Sequence, residues 1–418
     1  MAELSNSYIP FGAQYYRVPT PPPGEWELDL AAMARHGFTL VRFWVMWRWQ
    51  EPERGRFYWD DIDRLMDLAQ KNGLGVVLNT IAHCAPAWYY AKHPDGAPVT
   101  QGGEKLERIA LAWRQIGGMP GPCFNYAPGV ELQMDFIRAC AERYASHPAL
   151  LAWDVWNEPT AGHSIYMDIG WQTGYTHPNL LCYCEHCREK FALWLDRRYG
   201  GLEGLNRAWY RNYRSWAELE LPRRCNTQFD FMDFRRFTTD YMIEHCRKRV
   251  AAVREHDHTH PTMYHCLCDS IWDHTTCAVD DWRMQAEVDI LGNTSTDADR
   301  EYTADILRSS AKGKGVWACE VHCRFGRTYM PPPDITADAM RRYIFIPLMR
   351  GVRGFIYWQY RPELLSWEAP AWGLAALSGG EAPALAHARQ ACRVLQENAE
   401  DVHAMRRPAA RIAQIHSM

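Results

Sequence analysis

Two glutamates, Glu158 and Glu320, each end a short apolar stretch of this sequence. Glu158 closes a run that begins at Leu151, and Glu320 closes a run that begins at Gly315. A carboxyl group at the end of a buried strand stands where a (β/α)8 barrel carries its catalytic groups. Two such groups about 5–5.5 Å apart can hydrolyse a glycosidic bond with retention, because one protonates the leaving oxygen and the other attacks the anomeric carbon. The pair therefore predicts glycoside hydrolysis.

The residues beside the two glutamates bear on the role of each. Asn157 precedes Glu158 and offers an amide that could bind the sugar 2-hydroxyl, which suits the acid/base role for Glu158. Glu320 has no such donor next to it, and an ionised Glu320 could act as the nucleophile. Spacing alone leaves this assignment open. Taken singly, either glutamate could be a salt-bridged or solvated strand end, and the presence of both favours function.

The elements that must position these side chains follow from an alternation of short apolar runs with amphipathic segments of helical period. Eight alternations predict an α/β fold, a (β/α)8 TIM barrel. The predicted strands are Phe11–Tyr16, Leu40–Trp44, Gly75–Asn79, Leu151–Trp156, Thr262–Cys266, Val288–Asn293, Val316–Glu320 and Gly354–Trp358. Helices are predicted over Trp26–His36, Trp59–Lys71, Glu131–Ser146, Phe231–Glu255 and Ile335–Arg350.

Two segments fit no single βα unit and are predicted to be insertions. They are residues 97–125, after the third strand, and residues 160–225, after the fourth. Loops that follow barrel strands line the catalytic face. We expect one catalytic barrel over residues 1–400 that includes both insertions. Residues 401–418 form a C-terminal tail, and its last part resembles the beginning of a further domain.

Cysteine spacing gives a second chemical signal, which is independent of the glutamates. Cys182, Cys184 and Cys187 place three thiols within six residues. Such a cluster can surround one tetrahedral ion, and zinc prefers thiolates in closed structural sites. A fourth ligand must come from elsewhere or from His186 nearby. The alternative is that the three thiols are ordinary loop residues.

Composition excludes several classes of function. The chain has 418 residues, a formal net charge of −4 and 23% charged residues without a basic or acidic block, so neither nucleic acid nor an anionic membrane is an expected partner. The N-terminus lacks the pattern of a signal peptide, and no run is long enough to cross a bilayer. These two features predict a cytoplasmic protein, and there the fourteen cysteines argue against a disulfide scaffold, because a reducing compartment keeps thiols free. A small neutral molecule is the expected partner.

Aromatic residues are abundant, and their faces can stack on the apolar face of a pyranose ring. The candidates for contact with sugar are Trp88, Trp317, Trp358 and Trp372, although large aromatics inside barrels more often belong to the core. Three histidines near strand ends could hydrogen-bond hydroxyls, but a lone histidine there is more often a packing residue. They are His83, His265 and His322.

Taken together, the motifs resemble glycoside hydrolase family 42, the β-galactosidase-type retaining enzymes built on a (β/α)8 barrel. The resemblance implies that Glu158 is the acid/base and Glu320 the nucleophile, with Arg42 and Asn157 in the sugar subsite and no organic cofactor. It also implies that Cys123 completes a structural zinc site. The motifs are Gly12–Tyr16, Val41-Arg42, Glu51–Glu53, Pro86–Trp88, His93-Pro94, Asn157–Pro159, Trp317–Glu320 and Trp358–Arg361.

The sequence departs from this family in two respects. After the eighth strand it keeps a sugar-binding glutamate, Glu368, but lacks the histidine that usually follows, which leaves β-glucose, β-fucose and arabinopyranose as alternative glycones. A carbohydrate-binding barrel without activity is the other alternative. The family also continues into a trimerisation-type domain, and residues 401–418 resemble the beginning of that domain. The family therefore implies a trimer, but this expectation is weakened because the rest of that domain is missing from the sequence.

Overall fold

The computed structural model describes residues 8–106, 121–161, 180–223, 228–266, 277–295, 300–323, 333–365 and 369–406. Eight parallel strands follow one another around a closed barrel, and the first strand pairs with the eighth. The predicted (β/α)8 fold is confirmed. The strands are β1 (Phe11–Tyr16), β2 (Leu40–Met46), β3 (Gly75–Ile81), β4 (Leu150–Asn157), β5 (Thr262–Cys266), β6 (Ile290–Ser295), β7 (Gly315–His322) and β8 (Gly354–Trp358).

Helices cover the outside of the barrel between the strands. Their ends follow local chemistry: α3 begins with Asp60, Asp61 and Asp63 and ends with Lys71, charges that complement the helix dipole. In the described residues the helices are α1 (Trp26–Arg35), α2 (Trp47–Gln50), α3 (Asp60–Lys71), α4 (Ala87–Lys92), α5 (Ala127–Tyr144), α6 (Glu185–Tyr199), α7 (Leu202–Trp209), α8 (Gln228–Arg254), α9 (Asp281–Met284), α10 (Arg300–Ala311), α11 (Ala337–Arg350), α12 (Pro383–Glu397) and α13 (Ala399–Ala404). No helix of these residues combines the length and the apolar character that a membrane span requires.

The predicted helix Glu131–Ser146 begins four residues too late. In the structure α5 begins at Ala127, with Pro128 in its first turn. Proline is tolerated there because the first N–H groups of a helix have no partner within the helix. The predicted start of this helix, which lay beyond Pro128 and Gly129, was therefore wrong.

The interior of the barrel is filled by apolar side chains from successive strands. This inner cluster consists of Leu40, Val77, Ala152, Met263, Ile290, Trp317, Cys319 and Ile356, each nearly or fully buried. Trp317 lies across Gly354, where an added Cβ would lie 2.4 Å from its ring. Close packing of this kind makes the barrel a solid support rather than a pore.

Strand pairing is interrupted near both glutamates. Between β4 and β5, Asp154 pairs with Met263 and Trp156 with Tyr264, so Val155 is an extra residue. Between β6 and β7, the pairing likewise skips Cys319. An extra residue of this kind reverses the inward and outward alternation, and such bulges occur often beside active sites, where they redirect a side chain.

The two insertions lie against each other at the edge of the barrel. Tyr183 N donates to Val99 O at 2.8 Å, and Gln101 N donates to Leu180 O at 2.9 Å. These bonds join the segment after β3 to the segment after β4. The parts at 107–120 and 162–179 lie outside the described residues, as do 407–418 of the predicted tail.

Candidate active site

Glu158 and Glu320 meet at the carboxyl ends of β4 and β7. One carboxylate oxygen of Glu158 and one of Glu320 lie within 4.8 Å of each other. Glu158 follows β4 directly and has a φ of 44°, in the left-handed region that a side chain other than glycine rarely occupies. Local backbone strain of this kind is concentrated at functional sites, where the surrounding structure maintains it. The two carboxyl groups therefore share one space of the size that a glycosidic bond needs.

Arg42 of β2 is the centre of the hydrogen-bond network beneath this pair. Its guanidinium is fully buried and forms an ion pair with Oε1 of Glu320 across the barrel. Its Nε donates to Gln14 Oε1 at 2.7 Å, and Nη1 lies 3.3 Å from Asp154 Oδ2. Nη2 also reaches Asn157 Oδ1 at 3.5 Å. Because these acceptors come from three other strands, the guanidinium fixes Glu320 against much of the barrel.

Two histidines contact the carboxylate of Glu320, one at each oxygen. His265 Nε2 lies 3.3 Å from Oε1, and His322 Nε2 lies 3.3 Å from Oε2. The His322 ring lies over Trp372, with ring centroids 4.5 Å apart. With Arg42, Glu320 is thus surrounded by three cationic or potentially cationic groups.

These surroundings move the pKa values of the two glutamates in opposite directions. Burial alone would raise the pKa of Glu320, but the charge of Arg42 and the proximity of His265 and His322 outweigh it and hold the pKa well below its usual value. Burial, reinforced by the negative charge of Glu320, raises the pKa of Glu158. Thr294 opposes this increase because its hydroxyl donates to Glu158 Oε1 at 2.5 Å. One group is held ionised, and the other favours its proton.

Asn157 offers an unused hydrogen-bond donor in the same space. Its Oδ1 accepts from Arg42, whereas its Nδ2 is buried and has no hydrogen-bond partner among the described residues. A buried amide without a partner is costly, unless a ligand supplies an acceptor. This donor is therefore suited to a sugar hydroxyl.

The four predicted cysteines form a second cluster, in the insertions. The Sγ atoms of Cys123, Cys182, Cys184 and Cys187 all lie within 4.8 Å of one another, and all four side chains are buried. None of these four cysteines is bound in a disulfide. His186, the alternative fourth ligand, is not part of this group and lies against the Tyr126 ring.

The geometry of this cluster fits a tetrahedral metal ion. Cys123 Sγ lies 3.5 Å from the Sγ atoms of both Cys184 and Cys187, close to the separation of about 3.8 Å that follows from Zn–S bonds of about 2.3 Å. Val99 N donates to Cys182 Sγ at 3.3 Å, and Asn125 Nδ2 donates to Cys187 Sγ at 3.3 Å. Such N–H donors stabilise thiolate charge, so the four thiols could hold a metal ion.

Comparison with known proteins agrees with this arrangement of the barrel. The model of glycoside hydrolase family 42, described as beta-galactosidase, matches residues 15–397. The chain belongs to this family. The family resemblance expected from the motifs is therefore confirmed, and with it the class of glycoside hydrolases.

Curated beta-galactosidases are about a quarter identical to this family 42 chain over the aligned residues. The beta-galactosidase bgaB of Geobacillus kaustophilus is 26% identical over 80% of this chain and 48% of its own length. The beta-galactosidase BgaH of Haloferax lucentense is 27% identical over 80% of this chain and 51% of its own length. The chain therefore spans about half the length of these relatives.

A solved structure of a beta-galactosidase from Bacillus circulans sp. alkalophilus has the same fold as this family 42 chain. The two superpose with a TM-score of 0.79 at 20% identity, and the match covers 95% of this chain and 57% of the other. At this identity the likeness shows the fold alone.

Within this family 42 barrel, the structure brings Arg42, Asn157, Glu158 and Glu320 together. Trp317 and Trp88, two of the aromatic residues expected to contact sugar, make packing contacts, and their contact with sugar stays a prediction. Trp317 is buried in the inner cluster, three residues before Glu320. Trp88 donates its Nε1 to Glu51 O at 2.9 Å and lies against Trp47. These packing contacts account for both side chains without a sugar.

Trp358 lies in a different setting, at the end of β8. Its ring lies 5.2 Å from that of Trp44, and the guanidinium of Arg17 lies 4.7 Å from its centroid. Its strand position pairs it with His322, the residue that contacts Glu320. The prediction that Trp358 contacts sugar therefore stays open. Glu368, the other predicted contact, lies outside the described residues.

Sequence reasoning did not identify Asp154 or Thr294 as members of the site, and it treated His265 and His322 as packing residues. Asp154 is a charged residue inside an otherwise apolar strand, and its side chain is fully buried between Arg42 and His265. A buried carboxylate requires partners, so Asp154 was a usable signal. Thr294 carries no comparable signal, because threonine is common in strands.

Proposed function

We propose that this chain is a retaining exo-glycosidase that releases terminal β-D-galactosyl residues from short oligosaccharides or glycosides. The observation that carries the proposal is the pair of carboxyl groups in one space, with the pKa of Glu320 lowered and that of Glu158 raised. Double displacement needs one ionised and one protonated carboxyl group at neutral pH. Membership of family 42 and the names of the relatives support the galactosyl group as the glycone.

In the first step, a carboxylate oxygen of Glu320 attacks the anomeric carbon and forms a covalent ester. The bond from that carbon to the aglycone oxygen breaks, and Glu158 gives its proton to the departing oxygen. The Asn157 amide donates to the sugar 2-hydroxyl, a contact that strengthens in the transition state. Arg42 keeps Glu320 ionised and oriented before attack.

In the second step, water replaces Glu320 on the sugar. The ester removes the negative charge of Glu320, so the main charge that raised the pKa of Glu158 is gone and Glu158 now acts as a base. Glu158 takes a proton from the water, the oxygen attacks the anomeric carbon, and the ester bond to Glu320 breaks. The released sugar has the configuration of the substrate.

A panel of nitrophenyl glycosides tests the glycone. We expect kcat/KM to be highest on the β-D-galactoside, because the relatives are named as beta-galactosidases. Highest activity on the β-glucoside, β-fucoside or arabinopyranoside would show that the glycone is a different sugar and would leave the mechanism unchanged. The missing histidine after Glu368 is the reason for including these substrates. No turnover of any glycoside would favour a carbohydrate-binding barrel.

Removal of the Thr294 hydroxyl should move the basic limb of the pH profile. Its hydrogen bond stabilises the ionised form of Glu158 and so lowers the pKa of Glu158. In Thr294→Val, which keeps the shape, the pKa of Glu158 rises further, and the basic limb of kcat/KM moves to higher pH. The acid limb, which reports Glu320, stays in place. A basic limb unchanged in Thr294→Val, when measured beside Thr294→Ser, would contradict this assignment.

We also propose that zinc occupies the cluster of Cys123, Cys182, Cys184 and Cys187. Four thiolates leave no position for water or substrate, so the ion would be structural and would join the two insertions. It would take no part in bond cleavage. The sulfur separations and the N–H donors to sulfur support this ligand set.

Replacement of one ligand tests the metal. In Cys182→Ser we expect the zinc content, measured by plasma emission, to fall from about one ion per chain to nearly none. The Tm should fall by at least about 5 °C, because metal binding contributes to the folding free energy. Cys140→Ser is the matched control, since Cys140 is equally buried but lies outside the cluster. Normal zinc content in Cys182→Ser would contradict the ligand set.

A further inference from the structure

His265 contacts both members of the glutamate pair. Its backbone oxygen accepts from Glu158 N at 3.1 Å, and its side-chain Nε2 lies 3.3 Å from Glu320 Oε1. Its Nδ1 lies 2.9 Å from Asp154 Oδ2, and the whole residue is buried. A single residue of β5 thus joins the end of β4 to the carboxylate on β7.

Gly292 of the neighbouring strand β6 leaves room for His265. His265 pairs with Asn157 on one side and with Gly292 on the other. An added Cβ at Gly292 would lie 3.0 Å from the His265 Cβ and 2.2 Å from the Cys319 Sγ. Glycine at this position of β6 therefore allows His265 and the bulge at Cys319 to approach each other.

We infer that His265, held by Asp154, is a positioning residue that fixes Oε1 of Glu320 for attack on the sugar. The inference rests on the proposed function and goes beyond it, because the two-glutamate mechanism and Arg42 alone assign no task to β5. The contact to Asp154 is the shorter one, so Asp154 sets the orientation of the ring. Nε2, on the opposite edge of the imidazole, then lies 3.3 Å from Glu320 Oε1.

The charged groups around His265 favour its imidazolium form. Burial by itself lowers the pKa of His265, but Asp154 and Glu320 outweigh this effect and raise the pKa to about 9. Arg42 opposes them with its positive charge. Glu158, across the pair, the Cys319 thiol and His322, which lies 3.3 Å from Glu320 Oε2, also face this space. Near neutral pH both ring nitrogens therefore carry protons, one for each carboxylate.

This charge has opposite consequences in the two steps of the reaction. An imidazolium beside Oε1 makes Glu320 a weaker nucleophile, but it keeps the carboxylate ionised at lower pH and oriented. In the second step it stabilises the carboxylate as the ester bond to Glu320 breaks. Preorganised donors at a position where negative charge develops commonly contribute about 10²–10³-fold to a rate.

Two substitutions distinguish the orienting effect of His265 on Glu320 from the effect of the positive charge of His265. In His265→Ala we expect kcat/KM on the accepted nitrophenyl glycoside to fall by about 10²–10³-fold. The acid limb of its pH profile should move to higher pH, because loss of the positive charge raises the pKa of Glu320. In His265→Gln a neutral amide can still donate to Oε1, so at least a roughly tenfold part of the rate should return while the acid limb stays displaced.

A buried histidine elsewhere provides the control. His245 on α8 is also buried, and its ring contacts in the described residues are Phe124 and Trp156. His245→Gln should keep its acid limb at the original pH. If His265→Ala does not fold, His265→Gln carries the test, because it too should displace the acid limb upwards. An acid limb in every folded His265 variant identical to that of the unmodified chain would overturn the inference.

A covalent trap distinguishes failure of this inference from failure of the proposed function. A 2-fluoro galactosyl fluoride should label Glu320 in the unmodified chain and, more slowly, in His265→Gln. Labelling of Glu320 at equal rates in both, with equal pH profiles, would refute the role of His265 and keep the nucleophile. Labelling of a different residue in the unmodified chain would refute the nucleophile itself.

Discussion

Glu320→Gly is expected to lose at least about 10⁴-fold in kcat on the accepted nitrophenyl glycoside. The reason is that Glu320 is the carboxylate whose charge acts on Glu158, and removal of a nucleophile costs enzymes with covalent intermediates on the order of 10⁴–10⁶-fold. The variant should also fail to form a covalent adduct with a 2-fluoro sugar. The measurement is steady-state turnover combined with intact-protein mass.

Azide provides the sharper test of this variant. A small anion can enter the space that the missing carboxylate leaves and attack the anomeric carbon from the side on which Glu320 stood. The product is then an α-glycosyl azide, opposite in configuration to the substrate. A β-glycosyl azide from Glu320→Gly would show that Glu320 is not the nucleophile and would exchange the two roles.

Glu51→Gln is the matched control for Glu320→Gly. Glu51 is an equally buried glutamate near the end of β2, but its partners are Trp47 Nε1 and Arg54. We expect Glu51→Gln to lose some stability and to keep kcat within about tenfold, because the lost interactions are structural. Equal loss of turnover in both variants would mean that buried charge in general, and not nucleophilic attack, explains the effect.

The sequence predicted the barrel well because most strands contain a short apolar run. Every predicted strand begins within two residues of the observed start. Parallel strands buried on both faces have this composition, so length and flanking residues identify them. Glu158 and Glu320 were recognisable for the same reason, since each ends such a run.

The inward direction of Glu320 could not be predicted in this way. Strict alternation along β7 would place Glu320 on the face opposite Cys319, whose thiol belongs to the inner cluster. The extra residue at Cys319 brings both side chains to the interior. A bulge depends on the register between two strands, and the sequence of one strand does not contain that information.

The role of His265 was equally hidden from the sequence. Its partner Asp154 is 111 residues away along the chain, and its partner Glu320 lies on another strand. A lone histidine near a strand end is usually a packing residue, and only the closed barrel brings these three side chains together. Trp317 is the converse case, because a tryptophan close to Glu320 in sequence belongs to the inner cluster.

The second large effect is expected in Glu158→Gln. Loss of an acid/base group costs about 10²–10⁴-fold, and the cost should depend on the leaving group. For a dinitrophenyl glycoside the departing oxygen needs no proton, so the first step stays fast and the glycosyl ester accumulates, which lowers KM. For an alkyl or sugar aglycone the first step itself should be slow. Rates that fall equally for both substrates would contradict the acid role of Glu158.

The pH profile of Glu158→Gln follows from the directions of the two pKa values. In the unmodified chain, kcat/KM falls on the basic side as Glu158, whose pKa is raised, loses its proton. It falls on the acid side as Glu320, whose pKa is lowered, becomes protonated. Glutamine does not titrate, so the variant should lose the basic limb and keep the acid limb. Disappearance of the acid limb instead would assign the nucleophile to residue 158.

Azide also separates the two roles in this variant. The glycosyl ester on Glu320 exposes the opposite side of the sugar, so azide attacks there without a general base and gives a β-glycosyl azide. Glu320→Gly and Glu158→Gln should therefore give azides of opposite configuration from the same substrate. Because the two carboxyl groups flank one space from β7 and β4, this opposition is the direct chemical consequence of their geometry. Identical products from both variants would be incompatible with a double displacement at this site.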